Sequence, residues 1–80
     1  MSKTEKLLRK IQDNPKNVRF SEIETLLNTL GFETRSRGSH YTFKKGEKII
    51  MVVKPHGGKK FTAMVDVKKI LEYLKEEGYV

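Results

Sequence analysis

Gly31-Phe32-Glu33-Thr34-Arg35-Ser36-Arg37-Gly38-Ser39-His40-Tyr41-Thr42-Phe43 is the stretch where the apolar period of this chain changes from helical to alternating. Phe32, Thr34 and Ser36 fall on one side of an extended segment, and Glu33, Arg35 and Arg37 fall on the other. Gly38-Ser39 reads as a tight turn into a second strand. Successive strand side chains point to opposite faces, so Tyr41 and Phe43 share one face while His40 and Thr42 share the opposite one. Lys45-Gly46-Glu47 marks another turn, and Ile49-Ile50-Met51-Val52-Val53 is a largely β-branched apolar run that predicts a third strand. Three strands joined by such short turns form an antiparallel meander.

Upstream of this region, Ile23, Leu26, Leu27 and Leu30 supply an apolar stripe at helical spacing. Ser21 and Glu24 have capping-box spacing, and Gly31 stands where a left-handed C-terminal cap belongs, which predicts a helix over about 21–30. A shorter opening helix is expected from Leu7, Leu8 and Ile11, starting after Ser2 or Thr4 and interrupted near Asp13-Asn14-Pro15. Downstream, Val67, Ile70, Leu71 and Leu74 recur at i, i+3, i+4 and i+7, so a final helix runs from Ala63 or Val67 to Glu77 and stops at Gly78. The order is helix, helix, three strands, helix: a single α+β domain in which the last two helices pack on one face of a three-stranded antiparallel sheet. The other face is free to carry function, and alternation puts His40, Thr42, Arg35 and Arg37 on it.

Eighty residues bury a smaller share of their surface on folding than a larger domain would, and with no cysteine there is neither a disulfide framework nor a thiolate metal site to add stability. The N-terminus has no apolar core of a signal peptide, and no apolar run approaches the roughly 20 residues that span a bilayer. A cytoplasmic protein with no membrane partner is the expectation. The net charge of +7 is concentrated: from Arg35 to Lys60 stand Arg35, Arg37, Lys44, Lys45, Lys48, Lys54, Lys59 and Lys60 against Glu47 alone. A charge excess confined to one region is the footprint of a surface that meets phosphate.

Cleaving RNA without a metal needs a base for the 2′-OH proton, cations for the developing phosphorane charge and an acid for the 5′-oxygen. An imidazole, with a reference pKa of about 6.5, can do the first or the last of these. His40 is the candidate catalytic residue, and a turn or surface histidine is the plain alternative. Arg35, Arg37, Lys44, Lys54, Lys59 and Lys60 are candidate RNA-binding cations. Ser39 is either a phosphate-positioning group or an ordinary turn former. His56, in the basic glycine-rich loop Lys54-Pro55-His56-Gly57-Gly58-Lys59-Lys60, is either a second proton donor, an RNA contact or a loop residue. That loop has no Walker pattern. Two histidines sixteen positions apart make no zinc site, and Ser39 lacks a G-x-S-x-G elbow, so neither a metal nor any other cofactor is expected. Tyr41, Phe43 and Phe61 are able to stack bases, although Tyr41 and Phe43 fit core packing better.

Val18-Arg19-Phe20-Ser21 at the start of a helix, Leu30-Gly31-Phe32 at its end, and then Arg37-Gly38-Ser39-His40-Tyr41-Thr42-Phe43 resemble the HicA family of bacterial and archaeal toxins. Pro55-His56 in the loop after the third strand adds to the likeness, which covers roughly 17–78. The resemblance implies a double-stranded-RNA-binding-domain-like α-β-β-β-α fold, here over 17–80, preceded by an N-terminal helical extension over 1–16. It implies an mRNA interferase, an endoribonuclease with mRNA as substrate, neutralised by a HicB antitoxin, and it makes His40 the catalytic histidine. An acidic antitoxin fits a +7 surface. The chain departs from the family where many members open the last helix with a Gly-Thr-Leu-Arg-like sequence, since Met64-Val65-Asp66-Val67 stands here. The extension leaves three roles open: a contact in a homo-oligomer, an antitoxin docking surface, or a cover for exposed core. The competing functional reading is a non-catalytic RNA-binding module of the same fold.

Overall fold

Two glycine-closed helices and two tight hairpins set the architecture in a computed structural model that describes residues 3–79. Helix α1 (Lys3–Asp13) is followed by a 3-10 turn (Pro15–Asn17), helix α2 (Phe20–Thr29), strands β1 (Glu33–Arg37), β2 (His40–Lys45) and β3 (Lys48–Val53), and helix α3 (Met64–Glu76). The strands form one antiparallel sheet in the order β1-β2-β3, as the alternation predicts. From α2 to α3 the chain has the α-β-β-β-α order of a double-stranded-RNA-binding-like fold.

Helix α2 ends in a Schellman motif. The Phe32 N–H donates to the Leu27 carbonyl at 2.9 Å and the Gly31 N–H to the Asn28 carbonyl at 3.1 Å, a geometry that needs the positive φ of Gly31, 99°. Gly38 opens the first hairpin with φ 61° while Ser39 keeps a negative φ, the sign pattern of a type II′ turn, whose twist matches that of the flanking strands.

The α2 start differs from the Ser21–Glu24 expectation. The helix begins at Phe20, and Glu22 closes it by accepting the Arg19 N–H at 2.9 Å while its other oxygen pairs with Lys10 of α1. Burial acts to raise the Glu22 pKa, but the Lys10 ammonium, the Arg19 N–H and the positive charges of both outweigh it and hold the carboxyl below its usual range. The 3-10 turn is a further difference, formed where Pro15 stops α1 and the Asn17 N–H bonds back to Asn14. Helix α1 begins at Lys3, directly after Ser2, which is one of the two starts expected.

The core joins one sheet face to all three helices. Phe43, Ile50 and Val52 from the sheet meet Phe20, Ile23, Leu26 and Leu27 of α2 and Val67, Ile70 and Leu74 of α3. Leu8 and Ile11 of α1 are buried in the same cluster, so the opening helix covers core that would otherwise meet water. Tyr41 is half-buried on this face with its ring edge-on to Phe20 at 4.6 Å, which bears out core packing for Tyr41 and Phe43. No helix among the described residues is long and apolar enough to cross a membrane.

Candidate nucleic-acid interface

The strand register builds three cross-strand rows on the sheet face that the helices leave uncovered. Arg37, His40 and Val53 form the first, Arg35, Thr42 and Met51 the second, Glu33, Lys44 and Ile49 the third. Directly opposed residues on one face of an antiparallel sheet have Cβ atoms about 4.5–5.5 Å apart, so a guanidinium, an imidazole and an isopropyl group stand side by side in the first row. His40 is exposed, as are Arg35, Arg37 and Lys44. None of these three cations forms an ion pair among the described residues, which leaves their charge available to an anion. The imidazole is therefore outside the hydrophobic interior and beside the Arg37 guanidinium, where it is open to solvent and to a ligand.

The predicted cationic segment divides into three groups. Arg35, Arg37 and Lys44 share the open face with His40. Lys45 and Lys48 turn to the core side: Lys45 Nζ donates to the Leu30 carbonyl at 2.7 Å, and Lys48 Nζ lies 5.0 Å from the centre of the Tyr73 ring. Lys54, Lys59 and Lys60 surround the end of the sheet. Lys54 Nζ lies 5.8 Å and 5.9 Å from the ring centres of Phe20 and Tyr41, and all three lysines line a surface cleft of about 210 Å³ together with Arg19 and Ser21. Arg19 is a cation that lies outside the segment singled out from the sequence. Its place against Lys59 and Lys60 is a tertiary fact, although its position just before a helix was visible.

Ser39 is half-buried in the hairpin turn, and its carbonyl accepts the Lys54 N–H at 2.7 Å. That bond ties the His40 turn to the start of the basic loop. His56 is exposed on the loop and lines a second cleft with Val53, Lys54 and Lys59. The two histidines are thus joined through Val53, which is His40's neighbour on the open face and a wall of the His56 cleft. At the other end of the open face, Arg35, Thr42 and Lys44 line a larger groove of about 380 Å³. Among the described residues no three His, Cys, Asp or Glu side chains gather as a metal-binding group.

The apolar side of the face was not anticipated. Ile49, Met51 and Val53 are 54%, 56% and 44% exposed, a continuous strip along β3 next to His40, Thr42 and Lys44 of β2, with Arg37, Arg35 and Glu33 of β1 beyond them. Its signal was the unbroken apolar run 49–53, where a sheet with one wet face ordinarily alternates.

The family described as HicA toxin of bacterial toxin-antitoxin matches residues 20–76, from the first residue of α2 to the last of α3. No curated protein and no solved structure matches the chain.

Proposed function

Because the chain belongs to the HicA toxin family, the toxins of bacterial toxin–antitoxin systems, we propose that it is a metal-independent endoribonuclease that cleaves mRNA with His40 as its catalytic histidine. The observation that carries this reading is the first row of the open face, an exposed imidazole beside an unpaired guanidinium. With the RNA backbone across that row, His40 removes the 2′-OH proton and the 2′-oxygen attacks phosphorus. Arg37 balances the extra negative charge of the phosphorane. The P–O5′ bond then breaks, leaving a 2′,3′-cyclic phosphate and a 5′-hydroxyl that takes up a proton. His56, which lines the cleft on the far side of Val53 from His40, is the second proton carrier. Arg35, Lys44, Lys54, Lys59 and Lys60 hold the flanking phosphates, and Ser39 acts through the turn that presents His40. A HicB-type antitoxin is the partner that silences the enzyme.

His40→Ala should lower the cleavage rate by about 10²–10⁴-fold, the range for loss of a general acid or base, while leaving the fold and most RNA affinity unchanged. Single-stranded RNA incubated in EDTA with each protein reads this out, with 2′,3′-cyclic ends expected from the wild type only. Equal cleavage by both removes His40 from the mechanism.

One observation favours the second reading, a non-catalytic RNA-binding module: the His40 side chain makes no hydrogen bond among the described residues that would orient it as a base. That module binds RNA in the same assay and produces no fragments.

A further inference from the structure

The cleft beyond Val53 has a composition unlike the other basic surfaces of the molecule. Val53, Pro55, Phe61 and Ala63 make its walls apolar, and Lys54, His56 and Lys59 stand at its rim, around a space of about 230 Å³. Pockets for drug-sized ligands run to roughly 300–1,000 Å³, so this one suits a single ring system. Phe61 is 37% exposed, and it is absent from the hydrophobic core. The backbone beside it is nevertheless held in place. The next residue, Thr62, is 3% exposed, and its N–H donates to the Val18 carbonyl at 2.7 Å. With Thr62 anchored inward, Phe61 stays at the surface and lines the cleft.

We propose that this cleft is a nucleobase subsite, in which a base next to the scissile bond stacks on Phe61 while its phosphate meets Lys59 and His56. The proposal rests on the RNA-cleaving reading above and adds the feature that would choose where the RNA is cut. Proximity supports it. Val53 opposes His40 across the sheet, and because Ser39 and Lys54 form the hydrogen-bonded pair beside them, His40 and Val53 form the non-bonded pair, whose side chains approach most closely. A base leaving the His40 row on the β3 side meets Val53 first and Phe61 behind it. Charge complementarity selects a nucleotide over a purely apolar group, since three cationic or protonatable groups rim an aromatic floor.

The chain contains no tryptophan, so Phe61→Trp introduces a single fluorophore at the floor of the cleft. In a His40→Ala background, which keeps RNA intact, we expect this tryptophan to be quenched on titration with a short single-stranded RNA and far less by an abasic ribose-phosphate oligomer of equal length. With His40 intact, Phe61→Ala should weaken RNA binding by on the order of ten-fold and flatten the differences in cutting among positions of one RNA. Phe61→Leu keeps apolar volume without a π face and should behave like Phe61→Ala. Dye-labelled RNA anisotropy runs in parallel to separate the outcomes. RNA that binds without quenching the tryptophan, or a Phe61→Leu protein that binds and cuts like the wild type, overturns the subsite and leaves the RNA reading standing. Absence of RNA binding in the wild type overturns both.

Discussion

Glu22 joins three parts of the chain at one carboxylate. One oxygen takes the Arg19 N–H that starts α2, the other takes the Lys10 ammonium from α1, and only 15% of the side chain is exposed. Its folded pKa lies below the ordinary glutamate value of about 4.3. The stabilisation is therefore complete above that value and is lost as acidification carries the pH down through the lower folded pKa. Glu22→Gln should cost about 1 kcal/mol at pH 7, since Lys10 is largely exposed and its pairing is weakened by solvent, and should cost little at an acid pH that lies below the lowered folded pKa. Denaturant midpoints at the two pH values check this, and equal losses at both would mean the charge is irrelevant. The reciprocal bond was half legible beforehand: a glutamate near a helix start predicts it, but Ser21 and Glu24 carried the same spacing. Glu22 also has Lys10, twelve positions away in sequence and brought in only by folding α1 against α2.

At the scale of elements, α3 does more than cover the sheet. The outward N–H of Val53 and carbonyl of Met51 lie on the free edge of β3, and both are taken up by α3 side chains: Asp66 accepts from Val53 at 3.2 Å and Lys69 donates to Met51 at 2.7 Å. Asp66 and Lys69 also pair with each other at 3.4 Å. An edge whose backbone groups are occupied cannot easily recruit another strand, so this pair protects an edge that carries three exposed apolar side chains. Asp66→Ala should leave the Val53 N–H to water, lower stability by about 1–2 kcal/mol and speed exchange of the Val53 amide selectively. Hydrogen exchange followed by NMR reads this directly, and an unaltered Val53 rate would remove Asp66 from the edge. Helices α2 and α3, both turns and the faces of β1 and β2 were legible because period and glycine position are local signals. The exposure of Ile49, Met51 and Val53 was not. An unbroken apolar run looks the same whether both faces are buried or one is left bare, and only the absence of a second helical layer among the described residues decides it.

For the molecule as a whole, the +7 charge matters through its division and not its total. Two lysines of the basic segment, Lys45 and Lys48, turn away from the open face toward the Leu30 carbonyl and the Tyr73 ring, so the count from sequence overstates what an RNA on that face meets. Six cations remain, Arg35, Arg37 and Lys44 on the open face and Lys54, Lys59 and Lys60 at its end, none in an ion pair among the described residues. Counterion release from single-stranded RNA lowers log K by about 0.7 per neutralised phosphate for each decade of salt, so full engagement of all six predicts a slope near −4. Replacing Arg35 and Arg37 by Ala should make that slope shallower by about 1.4, whereas His40→Ala should leave it nearly unchanged, because the proposed role of the ring is to move a proton and not to neutralise a phosphate. Anisotropy titrations of one labelled RNA between 50 and 400 mM salt, as a proposed range of about one decade, measure all three. A slope that does not respond to the two arginines would mean that RNA runs over the loop end alone, away from the row that holds His40, and the catalytic assignment would then lose its substrate.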